Sequence, residues 1–236
     1  MKSQDILLLL KILSLSLQEK SIPLYLGVKW KDWEEDDLLL DPELVNSNEI
    51  LSLNAPQRLL VNVARQDEVS AIKSLDESFL QQYSLRELAV STGISKSEVS
   101  VSLKRCYEVV LAKPDRTSNV PRVNRDSLQE FLVHGLRYVF PAKTAGLVRG
   151  IATAWAAPVL QGKLMSGGDV APVWPDARGN TRGESISPLF KSVPYAAKRD
   201  PYLYGLLALT DSLRLGLARE RKVAAEQLAL MLEIGK

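Results

Sequence analysis

The stretch 84–106, SLRELAVSTGISKSEVSVSLKRC, constrains this chain more than any other, because two helix starts and one helix stop are written into it in close succession. Ser84 with Glu87, and Ser95 with Glu98, each form the S-x-x-E pattern in which a serine side chain caps the free N–H groups of a first helical turn. Gly93 falls between them and can take the left-handed conformation that ends a helix and turns the chain sharply. Ala89 is small where a second helix must cross closely, and Leu88, Ile94, Val99 and Leu103 supply the apolar faces that bury the two helices against each other. The spacing predicts a helix-turn-helix. Its second helix enters the major groove in DNA-binding proteins, although the same unit also serves as a protein-protein adaptor.

That second helix is predicted over 96–110. Val99, Leu103, Cys106 and Val110 recur at i, i+4, i+7 and i+11, a single buried stripe that makes Cys106 a core residue. The other face presents Lys96, Ser97, Ser100, Val101 and Lys104, with Arg105 beside it. Hydroxyls reach base edges or phosphates, Val101 suits a thymine methyl, and the cations neutralise phosphates. The first turn has no Arg or Gln to read a base with two hydrogen bonds, so modest or partly indirect selectivity is expected.

Residues 111–125, LAKPDRTSNVPRVNR, read as two short extended segments about a turn, a β-hairpin placed where a winged helix carries its wing. Lys113, Arg116, Arg122 and Arg125 make it basic, which suits a minor groove or a phosphate ridge; an exposed solubilising hairpin is the plainer alternative. Charge is divided the same way. Residues 1–82 hold 8 Lys+Arg against 14 Asp+Glu, whereas residues 83–236 hold 22 against 14. A positive field therefore accompanies the helix-turn-helix, and the acidic part would be repelled from a duplex.

The apolar run at 6–17 is too short for the ~20 residues that cross a bilayer, is interrupted by Lys11, and has no cleavage site after it. A core helix over 3–19 is expected instead, serving either as the first helix of the DNA-binding unit or in a dimer interface. A helix over 67–82 competes for the first role. Between them an acidic insertion spans about 21–66, with a helix predicted over 54–64 and the run Glu34, Glu35, Asp36 and Asp37 read as solvated surface. Cys106 and His134 are the sole members of their types, which excludes an intrachain disulfide and any cysteine-based or two-histidine zinc site. No cofactor is expected, and the cytoplasm is the expected compartment.

Beyond the hairpin, Asp126 with Gln129 is expected to cap a helix whose Leu128, Phe131, Leu132, Leu136 and Val139 face a core, and His134 on it reads as a packed or surface residue. Residues 141–198 are punctuated by glycine and proline yet keep Trp155, Trp174, Phe190 and Tyr195, so a long irregular loop pinned by aromatics is expected. Asp169, Asp176, Arg178 and Arg182 in it come with no nucleophile-base pair, P-loop or metal pattern, and an enzyme is not expected. Helices follow over 200–216 and 219–234, the second with Val223, Gln227, Leu230 and Ile234, or their neighbours, inward.

On the caps, glycine and hairpin above, the region 83–126 resembles the winged helix-turn-helix of MarR-like regulators. VNRDSLQEFLVHGLRYVFP at 123–141 and PVWPDARG at 172–179 resemble an uncharacterised bacterial family that carries this module. The resemblance implies DNA binding and brings no catalytic residue and no effector. The expected fold is mainly α with a small β-hairpin wing: a winged helix-turn-helix domain over 1–125 and a helical C-terminal domain over 126–236 for dimerisation, partner or effector binding. The expected function is a transcriptional regulator, a homodimer on double-stranded DNA and not on membranes. The alternative is a protein-binding module, such as the antitoxin or regulatory subunit of a toxin-antitoxin or defence system, grasping its partner with the C-terminal half.

Overall fold

The computed structural model describes residues 1–20, 30–34, 79–164 and 170–233. Met1–Glu34 and Gln82–Lys236 form one compact unit, to which every element named below belongs; Glu35–Gln81 forms another. The helix expected over 54–64, most of the one over 67–82, the acidic residues Glu35, Asp36 and Asp37, and Asp169 lie outside the described residues.

Helix α1 (Ser3–Glu19) is the axis of the first unit. Ile6, Leu7, Leu8, Leu9, Leu10, Ile12 and Leu13 are all fully buried. A helix apolar all round has to be enclosed, and α1 is enclosed by α2 (Leu85–Thr92), α3 (Lys96–Glu108) and, on another side, α7 (Pro201–Leu215). It packs directly on both helices of the capped pair, while most of the competing helix over 67–82 lies outside the described residues. Its leucines are buried within the single chain.

The hairpin is formed by β1 (Ala112–Pro114) and β2 (Pro121–Val123), antiparallel, with Lys113 opposite Arg122. Helix α4 (Arg125–Glu130) is capped by Asn124, whose side chain accepts from the Ser127 N–H, and not by Asp126 as the sequence suggested. A π-helical turn, Phe131–Gly135, joins α4 to α5 (Leu136–Val139). Leu128, Leu132 and Leu136 recur every fourth residue and would drift around an α-helix; the wider π turn offsets the drift and keeps all three buried. Val139, expected inside, is exposed, and so is His134.

The largest departure from the sequence reading lies in residues 141–198. They contain a three-stranded sheet and not a long irregular loop, which makes the architecture mixed α/β. Strand β3 (Thr144–Ala152) pairs antiparallel with both β4 (Pro172–Pro175) and β5 (Thr181–Ile186), while β4 and β5 pair in parallel, so the three strands close on one another. Glycines and prolines that read as breakers are what the closure requires. A Cβ on Gly150 would overlap the Trp174 carbonyl, and Pro172 and Pro175 sit at the two ends of their short strand. Trp174 is fully buried edge-on to Tyr204, which in turn meets Trp33 edge-on at 5.7 Å.

After α6 (Val193–Ala197) come the expected α7, with Pro201 in its first turn, and α8 (Ala218–Glu233). Ala224, Leu228 and Leu232 face inward on α8, one to two residues along from Val223, Gln227 and Leu230. Among the described residues no helix is long and apolar enough to cross a membrane, and no cluster of His, Cys, Asp and Glu is arranged to hold a metal.

Candidate nucleic-acid interface

The two serine caps form as their spacing requires. Ser84 accepts from the Glu87 N–H at 3.2 Å and Ser95 from the Glu98 N–H at 3.4 Å. Between them Gly93 ends α2 at φ +67°, a conformation costly for any other residue. It also has no room for one, since an added Cβ would lie 2.9 Å from the Ser192 Cβ. Leu88, Ile94, Val99, Leu103 and Cys106 are buried between the helices and α1. Burial pushes the Cys106 thiol up to about 12, an inert core group and not a reactive one.

Helix α3 ends earlier than its stripe suggested. The Leu111 N–H donates to the Cys106 carbonyl and the Val110 N–H to that of Tyr107, the paired closing bonds of a Schellman motif. The left-handed residue in that motif is usually glycine, yet here it is Val110 at φ +59°, its side chain turned out to solvent. Buried Leu111 takes the core place that Val110 was expected to fill. Because a β-branched residue is strained there and its side chain is largely exposed, Val110→Gly should stabilise the fold by about 1 kcal/mol. Thermal unfolding checks this, and a lowered midpoint would contradict it.

The outward face of α3 carries Lys96, Ser97, Val101 and Lys104 in solvent, with Ser100 half-buried among them. Among the described residues neither lysine makes a side-chain hydrogen bond or ion pair. At the hairpin, Lys113 and Arg116 are exposed. The turn that holds Arg116 out is built on Asp115, whose carboxylate accepts from the Thr117 and Ser118 N–H groups and the Ser118 hydroxyl. These bonds hold the Asp115 carboxyl below its ordinary value.

The remaining three arginines of the expected surface bond within the fold. Arg105 grips Asp5 of α1 with two nitrogens, at 2.9 and 2.6 Å. Burial works to raise the Asp5 carboxyl, but the Arg105 guanidinium, the Lys2 N–H and Ser102 prevail and hold it below the usual carboxylate range. Arg122 pairs with Glu19 of α1, donates to the Tyr83 hydroxyl and stacks on the Tyr83 ring at 4.9 Å. Arg125 reaches the Leu232 carbonyl at 2.8 Å and the Ser16 hydroxyl at 2.9 Å. Guanidinium groups so committed fix α3, the hairpin and the start of α4 to α1 and α8. The outward set is thus Lys96, Ser97, Ser100, Val101, Lys104, Lys113 and Arg116.

One part of the local surface was not foreseen. The last carbonyls of a helix lack intrahelical donors, and on α2 two of them are satisfied from the other end of the chain. The Ser192 hydroxyl donates to the Thr92 carbonyl at 2.6 Å and the Tyr195 hydroxyl to that of Val90 at 3.0 Å. Arg199 lies over the Tyr195 ring at 3.7 Å. The aromatic at 195 was visible in the sequence, but nothing local ties it to a helix a hundred residues away.

Comparison with protein-family models, with curated proteins and with solved structures gave no match.

Proposed function

We propose that this chain is a DNA-binding transcriptional regulator whose helix α3 and hairpin tip meet duplex DNA. The observation that carries the reading is the pairing of a capped helix-turn-helix with an outward face of lysines, hydroxyls and Val101 that the fold leaves without acidic partners among the described residues. An adjoining hairpin that holds Arg116 in solvent supports its use as a wing. In this reading the lysines and Arg116 neutralise phosphates, and Ser97, Ser100 and Val101 approach base edges. Two copies acting on two half-sites complete it.

Binding should be strongly salt-dependent, because each phosphate contact releases condensed counterions. Lys104→Ala with Arg116→Ala should weaken binding roughly tenfold and reduce the slope of log K against log salt by about 1.8. Fluorescence anisotropy on a mixed-sequence duplex, titrated at several salt concentrations and read also for two chains per duplex, checks this. Unchanged affinity and slope would remove the reading.

A further inference from the structure

We propose that the segment carrying Lys191, Tyr195 and Arg199 is a further phosphate-contacting element of the duplex interface, in addition to the start of α3 and the hairpin tip. The proposal rests on the duplex-binding reading above and extends it to a part of the chain outside the helix-turn-helix and its wing.

Four observations converge on it. The segment is anchored to the turn itself, through Ser192 on the Thr92 carbonyl, Tyr195 on the Val90 carbonyl, and close packing of both side chains against Gly93. Gly93 is separated from Lys96, the first residue of α3, by only Ile94 and the capping Ser95. The segment therefore adjoins the turn that leads into the first turn of α3. Next, Arg199 and Lys191 are exposed, and neither has a carboxylate partner among the described residues, whereas the neighbouring Lys198 is paired with Asp176 at 2.7 Å. Finally, Arg199 is held in place: its guanidinium stacks on the Tyr195 ring and donates to the Tyr195 carbonyl at 3.1 Å. A cation already ordered on an aromatic ring loses less side-chain freedom when a phosphate arrives, and its outer N–H groups remain to donate.

The arrangement also gives the turn a second role. Ser192 and Tyr195 complete the end of α2 and in doing so fix the position of Arg199 relative to α3.

The experiment measures binding of a fluorescein-labelled mixed-sequence duplex of about 30 base pairs, some three helical turns, by wild type and three variants across a salt series. For Lys191→Ala with Arg199→Ala, affinity should fall roughly tenfold and the slope of log K against log salt should shrink by about 1.8, one increment per lost phosphate contact. Arg199→Lys, which keeps the charge and loses the stack, should keep the slope and lose only part of the affinity. A purely structural role would leave the slope where it was, and thermal midpoints of these exposed-residue variants report folding separately. Lys104→Ala with Arg116→Ala is the reference. If it weakens binding while the Lys191/Arg199 variant matches wild type in affinity and slope, the inference is overturned and the duplex reading stands. If wild type shows no salt-dependent duplex binding, both fall.

Discussion

Asp200→Ala should destabilise this protein by about 3–5 kcal/mol, the usual result of removing one partner from a buried ion pair. Asp200 is 2% exposed and its two oxygens serve four donors. One oxygen caps α7 by accepting from the Leu203 N–H at 3.0 Å and also accepts from Gln18 at 3.0 Å. The other accepts from Lys11 at 2.8 Å and Ser14 at 2.6 Å. Alanine would leave the Lys11 ammonium, itself 8% exposed, in the core without a counter-charge, and would strip the cap from the longest helix packed on α1. Urea unfolding measures the loss. A cost below about 1 kcal/mol would show that the ammonium finds solvent or another partner on relaxation. Lys11→Met with Asp200→Asn removes the stranded charge and keeps a capping acceptor, so it should recover much of the loss; if it is as unstable as Asp200→Ala, the ion pair is not the cause.

The second large effect lies at Asp211, on α7 where the helix meets the sheet. Its carboxylate receives the Trp174 indole N–H at 2.6 Å, the Thr153 hydroxyl at 3.0 Å and Arg214 at 2.6 Å. Burial pushes the Asp211 carboxyl up, against these three donors, which favour the anion. Asp211→Ala would strand a buried guanidinium with only the Phe140, Pro141 and Ser187 carbonyls to receive it, and would leave the Trp174 and Thr153 donors unpaired. The expected cost is again about 3–5 kcal/mol. Its distribution should differ from that of Asp200→Ala. Amides of β3, β4 and β5 should exchange hydrogen faster while those of α2 and α3 keep more of their protection, because Asp211 ties the sheet, and not the helix-turn-helix, to α7. Asp211→Asn retains an acceptor and should lose less. Unchanged sheet protection in Asp211→Ala would show that strand closure alone holds the sheet.

These two carboxylates explain how one compact unit holds a helix-turn-helix and a small sheet. Asp200 joins α7 to α1, on which α2, α3 and the hairpin are built; Asp211 joins α7 to β4 and to the end of β3. The candidate interface sits on the first of these assemblies. Arginines facing inward hold it in place: Arg105 to Asp5 and Arg122 to Glu19 pin α3 and the hairpin to α1.

What the sequence determined alone was governed by neighbours within a turn or two, though not every local feature was read correctly: the cap at Asn124 and the end of α3 before Val110 were missed. Ser84, Ser95 and Gly93 specify the caps and the stop of the helix-turn-helix, Asp200 and Pro201 open α7, and the Pro-Asp and Ser-Asn pairs of residues 114–119 place the hairpin, since these rules act between residues a few positions apart. Tertiary structure alone decided which basic residues point outward. Arg105, Arg122 and Arg125 look no different in sequence from Lys104 and Arg116, and their acceptors on α1 lie about a hundred residues earlier in the chain. It also decided that the glycine- and proline-rich stretch closes into a sheet, because Gly150 and its partner carbonyl at Trp174 meet only once distant strands have paired. The same holds for Tyr195 and Ser192 on the end of α2. Hydrogen-bond partners this far apart leave no period and no spacing to read, only the chemistry of the groups that will meet.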